Sequence, residues 1–237
     1  MKKYMTLIMV MVISTSAMSC QQKKISSRYD TGYYSTLGGG IGFGRFGYED
    51  IPQPWNKDTK QSDAFTASYG LGYQKRLSDK SLLGIQGLFN YHDHSVGREK
   101  YENATLGKKV WRIHYEYSYG IDGIAGFIHG PCMVYGKVGV EFTAMSHKKS
   151  IFTRDKATKS FTEDETGEDK QSHTHTGLSI GLGYDYAVSD SLSIGGEIKH
   201  IFYDAKKYTH YKGRSNEITH KIQPQITRLM ATMTCRF

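Results

Sequence analysis

The feature that most restricts this chain is a period-two alternation of large apolar residues with small or polar ones, repeated eight times between residues 33 and 237. Successive side chains of a strand point to opposite faces, so each stretch predicts a strand with one greasy and one polar face. Phe65, Ala67, Tyr69, Leu71 and Tyr73 face one way, against Thr66, Ser68, Gly70, Gly72 and Gln74. Leu178, Ile180, Leu182, Tyr184 and Tyr186 repeat the pattern against Ser179, Gly181, Gly183 and Asp185. Odd positions carry the apolar face in the first four strands. After the Gly130-Pro131 turn the even positions carry it in strands five to seven.

A soluble lipocalin-like barrel or sandwich produces the same alternation with its apolar face inward. Three features favour the opposite orientation. The polar face is Gly-rich and carries charges of both signs. Connections alternate between short ones near 77–81, 128–132 and 188–191 and long ones near 49–63, 95–109, 146–172 and 204–220. The sequence also closes on an aromatic, Phe237. Tight turns on one side and extended loops on the other are the asymmetry of an outer-membrane barrel, and eight is an allowed strand number. Composition agrees: 18 Tyr and 10 Phe in a chain of mean hydropathy −0.53 are more than one core can bury with every hydroxyl paired, whereas two interfacial belts accommodate them.

Lys2 and Lys3 precede an apolar run from Met5 to Ile13, which is too short to span a bilayer as a helix, and Ala17-Met18-Ser19 offers a small-x-small cleavage site. Residues 1–19 are therefore read as a secretory signal, 20–31 as a periplasmic segment and 32–237 as the barrel. Cleavage after Ser19 removes two lysines and lowers the formal charge from +8 to +6. Cys20, directly after the site, is a candidate for lipidation; a residual cysteine is the alternative. Export excludes nucleic acid as a partner despite the basic balance.

The Gly-rich first strand from Leu37 to Phe46, the Ser-Asp turns at Ser78-Asp79 and Ser189-Asp190, the Tyr135-Gly136-Lys137-Val138-Gly139 opening and the terminal Phe237 together resemble the small outer-membrane barrels of the opacity-protein and outer-membrane-protein-A-like kind. The resemblance runs from about residue 33 to 237. It implies an all-β, eight-stranded antiparallel up-and-down transmembrane β-barrel in the cell outer membrane. It also implies that Phe237 is part of the signal read by the outer-membrane assembly machinery.

On this parity Arg112, Glu116, Asp122, Lys137, Glu141, Asp185, Glu197, Lys199 and Arg228 point into the lumen, where eight strands leave room for side chains and little else. Paired ions there argue against a conducting pore. His92 with His94, and His173 with His175, are His-x-His pairs expected at the external mouth, with His147 and His114 as candidate neighbours; they are weak candidates for a zinc or copper site, polar rim residues being the plainer reading. A barrel hydrolase such as a lipid A deacylase or a protease needs His and a nucleophile on one face, and His92-Asp93-His94-Ser95 does not supply them. No cofactor is implied.

Recognition is expected in the loops. The third loop divides into a basic half (Lys148, Lys149, Arg154, Lys156, Lys159) and an acidic half (Glu163, Asp164, Glu165, Glu168, Asp169), while the fourth, with Lys206, Lys207, Lys212 and Arg214, stays basic. Such clusters suit lipopolysaccharide phosphates or a sulfated host surface glycan. The reading is a non-enzymatic envelope barrel among outer-membrane lipid, its loops presented to those ligands; a barrel enzyme or a narrow pore is the alternative.

Overall fold

The computed structural model describes residues 29–51, 57–103, 107–154, 161–210 and 218–237. Its strands are β1 (Gly32–Ile51), β2 (Lys57–Ser78), β3 (Ser81–Asn103), β4 (Gly107–His129), β5 (Cys132–Arg154), β6 (Phe161–Ala187), β7 (Leu192–Tyr203), β8 (Lys206–His210) and β9 (Ile218–Arg236). Neighbours pair antiparallel in chain order, and β9 returns to β1, from Tyr34 opposite Arg236 to Ile51 opposite Thr219. β7 and β8 run in line along β9, so the ring has eight staves. The break between them falls opposite Pro224, which has no amide hydrogen to give a neighbouring strand. At the break Asp204 N–H donates to Thr176 O (2.9 Å) and Thr176 N–H donates to Asp204 Oδ1 (3.0 Å).

The short connections are tight turns. Gly130 sits at φ 59°, a left-handed position that favours glycine. Ser189 Oγ accepts from Leu192 N–H at 3.1 Å. The Gly-rich inner wall has a steric cause at Gly183, where a Cβ would run into the Tyr135 ring.

The expected large apolar face points outward: Tyr33, Leu71, Ile121, Val138, Leu182 and Phe202 are all exposed on the barrel wall. The orientation assigned from the sequence holds along this belt. From Tyr33 to Phe43, at about 3.3 Å per residue and a tilt near 40°, the belt is about 25 Å tall, the thickness of an outer-membrane apolar band.

Two expectations need correction. The loops placed at 49–63, 95–109 and 146–172 are largely strand, since β2 to β6 run for 22, 23, 23, 23 and 27 residues, about twice what the bilayer requires. Parity also does not persist along β4. A register shift between Tyr115 and Ser118 turns Ile113 and Tyr115 inward and Arg112 and His114 outward, so Arg112 is exposed on the outer wall and is not a luminal charge. The side chain of Glu116 lies outside the described residues.

The interior has three levels. Tyr29, Leu82, Ile128, Met133, Tyr135 and Ala187 cluster at the end carrying the tight turns. A belt of ions follows. Above it, Phe46, Tyr48, Ile113, Tyr115, Met145, Tyr203, Tyr208 and Ile222 belong to a second apolar cluster inside the projecting half. The tight-turn end is closed by the segment before β1: Tyr29 Oη donates to Pro131 O (3.0 Å) and Asp185 O (3.2 Å), and the Arg236 guanidinium lies 4.5 Å from its ring centre. Arg76 holds Asp30 at 3.2 Å beside it.

Candidate functional site

Seven of the charged residues assigned to the lumen are buried there: Asp122, Lys137, Glu141, Asp185, Glu197, Lys199 and Arg228. They come from β4, β5, β6, β7 and β9, at positions that alternate with lipid-facing residues, so closing the ring brings them together. Lys199 Nζ donates to both oxygens of Asp122 (2.8 and 2.7 Å) and lies 3.6 Å from Glu141. Lys137 Nζ meets Glu197 at 2.5 Å and Gln86 Oε1 at 3.0 Å. Arg228 pairs with Glu141, which also accepts from Ser118 Oγ (2.6 Å) and Tyr203 Oη (2.8 Å). Among the described residues, cavities of about 30 and 20 Å³ lie beside these ions, each on the order of one water in size.

The two His-x-His pairs have different neighbours. His92 and His94 lie side by side, ring centres 6.1 Å apart, each stacked on Tyr115. His92 Nδ1 is 3.2 Å from Thr66 Oγ1 and its Nε2 is 3.1 Å from Ser118 Oγ. His175 engages Asp204 O through Nδ1 (2.9 Å) and Tyr208 Oη through Nε2 (2.8 Å). His173 is exposed and sets its edge against Tyr208 at 4.8 Å. His92 and His175 thus spend both ring nitrogens on protein, and among the described residues no group of three ligands could hold a metal ion. His147 and His220 join this second cluster, 5.9 Å from each other, with His147 5.4 Å from Tyr208. His220 was not foreseen; it is placed by register, directly opposite Tyr208. Ser118 is buried and donates to Glu141 while facing His92, so this trio orders the lumen and is no open nucleophilic site.

Asp204 closes the base of the fourth hairpin, outside the apolar belt. Partial burial works to raise its pKa, but bonds from Lys206 and the Thr176 amide, with His175 nearby, bring it below the ordinary carboxylate value.

The basic residues expected on loops separate. Lys148 lies on the outer wall of β5, whereas Lys149, the next residue, turns inward and is buried, because β5 continues to Arg154 where a loop was expected. Lys206 pairs with Asp204 at 2.9 Å, and Lys207 is exposed. Lys212, Arg214, Cys20 and the signal segment lie outside the described residues. Phe237 is 74% exposed at the lower edge of the belt, its N–H donating to Tyr33 O at 3.1 Å. Cys235 is a free thiol.

A closed ring of eight staves, apolar outside and filled with paired ions inside, is a transmembrane β-barrel. The chain belongs to the family described as outer membrane protein beta-barrel domain, which it matches over residues 5–222, and its place is the outer membrane. A search of curated proteins found no match. Among solved structures it is similar to Neisserial surface protein A (15% identity, 87% of this chain and 97% of that one, TM-score 0.43). It is also similar to the outer membrane protease OmpT from Escherichia coli (10%, 92% and 100%, 0.47). A third is Ail, the attachment invasion locus protein of Yersinia pestis, solved with the heparin analogue sucrose octasulfate (14%, 85% and 99%, 0.34).

Proposed function

We propose that this barrel is a non-enzymatic envelope protein whose closed wall holds long hairpins outside the membrane for contact with anionic saccharides, lipopolysaccharide or sulfated host glycans among them. One observation carries the reading: β2 to β6 outlast the apolar belt by about as many residues as they spend in it. From Phe142 to Arg154 a tilted β5 rises roughly 30 Å beyond the belt. Continuous strands around an apolar interior are a stiff mount, and preorganised surfaces lose less entropy on binding. The ion belt and the two apolar clusters favour a closed lumen over a narrow pore.

The test is binding of the purified barrel in detergent to immobilised lipopolysaccharide and to heparin fragments. Saturable, salt-sensitive binding of either supports the reading; its absence at low salt against both refutes it. By the same reading Phe237 serves the assembly machinery.

A further inference from the structure

The register of β4, β5 and β6 places two rows of outward side chains that the sequence keeps far apart. Arg112 is directly opposite Lys148, and Lys148 is directly opposite Lys170. All three point to the outer wall: Ile113, Met145, His147 and His175 mark the inward parity, and Arg112 and Lys170 are exposed. Three cations therefore stand side by side on three adjacent strands, roughly 5 Å apart at their backbones. One step nearer the membrane, about 7 Å down the strands, a second row runs Ser95, His114, Ser146, Ser172. Below it the outer wall becomes aromatic at Tyr119 and Phe142, whose rings stack 5.6 Å apart. The cationic row lies about 15 Å above that border, at the height of a lipid's sugar headgroup rather than its acyl chains.

We infer that Arg112, Lys148 and Lys170 form a binding site for the phosphate or sulfate groups of an anionic saccharide, with the hydroxyl and imidazole row beneath them hydrogen-bonding its sugar ring. A multiply charged anion lying across Arg112, Lys148 and Lys170 would gain a charge-assisted contact from each of three adjacent strands. A row of hydroxyl and imidazole groups beside a row of lysine and arginine cations suits a ligand with hydroxyls on one side and charge on the other. A bare phosphate would use only the first row. The site rests on the function proposed above and narrows it to one face of the barrel, away from the Lys206 and Lys207 hairpin.

The ligand has two possible sources, lipopolysaccharide of the same leaflet or a sulfated glycan from outside. The experiment compares the full chain with a triple variant, Arg112→Gln, Lys148→Gln, Lys170→Gln, and with Lys75→Gln, Lys80→Gln, two exposed lysines at the tight-turn end, as the control. All three proteins are first shown to retain the heat-dependent gel shift of a closed barrel. Probes are lipopolysaccharide, dephosphorylated lipopolysaccharide and a heparin fragment. The triple variant is expected to lose roughly tenfold or more in affinity for lipopolysaccharide at low salt, as removal of three solvent-exposed charge contacts implies, with the control unchanged. Dephosphorylated lipopolysaccharide should bind the native chain as weakly. A loss confined to heparin supports the same site with the outside source. If the native chain binds and the triple variant binds equally well, the site is wrong while the proposed function stands; if the native chain binds neither probe, both fall.

Discussion

Glu141→Gln tests the physics of the lumen most directly. The carboxylate is fully buried and is the one found paired with Arg228 among the described residues, while Lys199 keeps Asp122. The exchange preserves size and leaves an acceptor for Ser118 and Tyr203, so the charge is what changes. It strands a buried guanidinium, and breaking a buried pair from one side costs about 3–5 kcal/mol. Removing an exposed pair such as Arg76 with Asp30 costs about 0–1 kcal/mol. Arg228→Met should cost about as much as Glu141→Gln. The double variant should be far less destabilised than the sum, returning to within about 2 kcal/mol of the native chain, because two buried charges leave together. The assay is equilibrium unfolding in urea from lipid vesicles, followed by tryptophan fluorescence and by the gel shift. A cost below about 1 kcal/mol for Glu141→Gln, or additivity in the double variant, would refute the claim that a coupled ion belt supports the wall.

Other expectations follow from the same geometry. Tyr29→Ala should cost about 2–4 kcal/mol in the same unfolding experiment, through loss of a buried ring under Arg236 and of its bonds to Pro131 and Asp185. Phe237→Ser should lower the amount of barrel reaching the outer membrane in cells while the purified, refolded protein unfolds at an unchanged midpoint, since the ring is mostly exposed; equal insertion would remove its role as an assembly signal. Asp204 has a folded pKa below its unfolded one. Its contribution to the fourth hairpin is therefore complete above the unfolded value, about 3.9, and is lost as pH falls through the folded value. Proteolysis at that hairpin should stay constant from pH 7 to 5 and rise only in more acid solution, and Asp204→Asn should abolish the rise.

What was legible in the sequence was whatever depends on period two within the belt. Phe65 to Tyr73 and Leu178 to Tyr186 announce their faces because lipid demands an apolar residue at every second position. The same rule misread the upper part of β4, where one shift between Tyr115 and Ser118 exchanges the faces and nothing in the composition marks it. Arg112 was thereby lost to the lumen and recovered on the outer wall. The long connections looked like loops because residues such as Glu163 and Asp164 suit strands poorly; pairing across the hairpin, with Glu163 opposite Phe152, overrides that preference. The row Arg112, Lys148, Lys170 could not have been read from spacing at all, since cross-strand neighbours are set by register alone.

The two apolar clusters that close the interior at either end also bear on the cell. The outer membrane excludes detergents and drugs only while its proteins do not leak. On the closed-lumen reading proposed above, a barrel with Tyr115, Tyr203 and Tyr208 packed at its outer end and Tyr29 at its inner one would add membrane area without adding a path for solutes, however many copies were made. Its abundance is then limited by the area of membrane it occupies, not by the permeability it would bring.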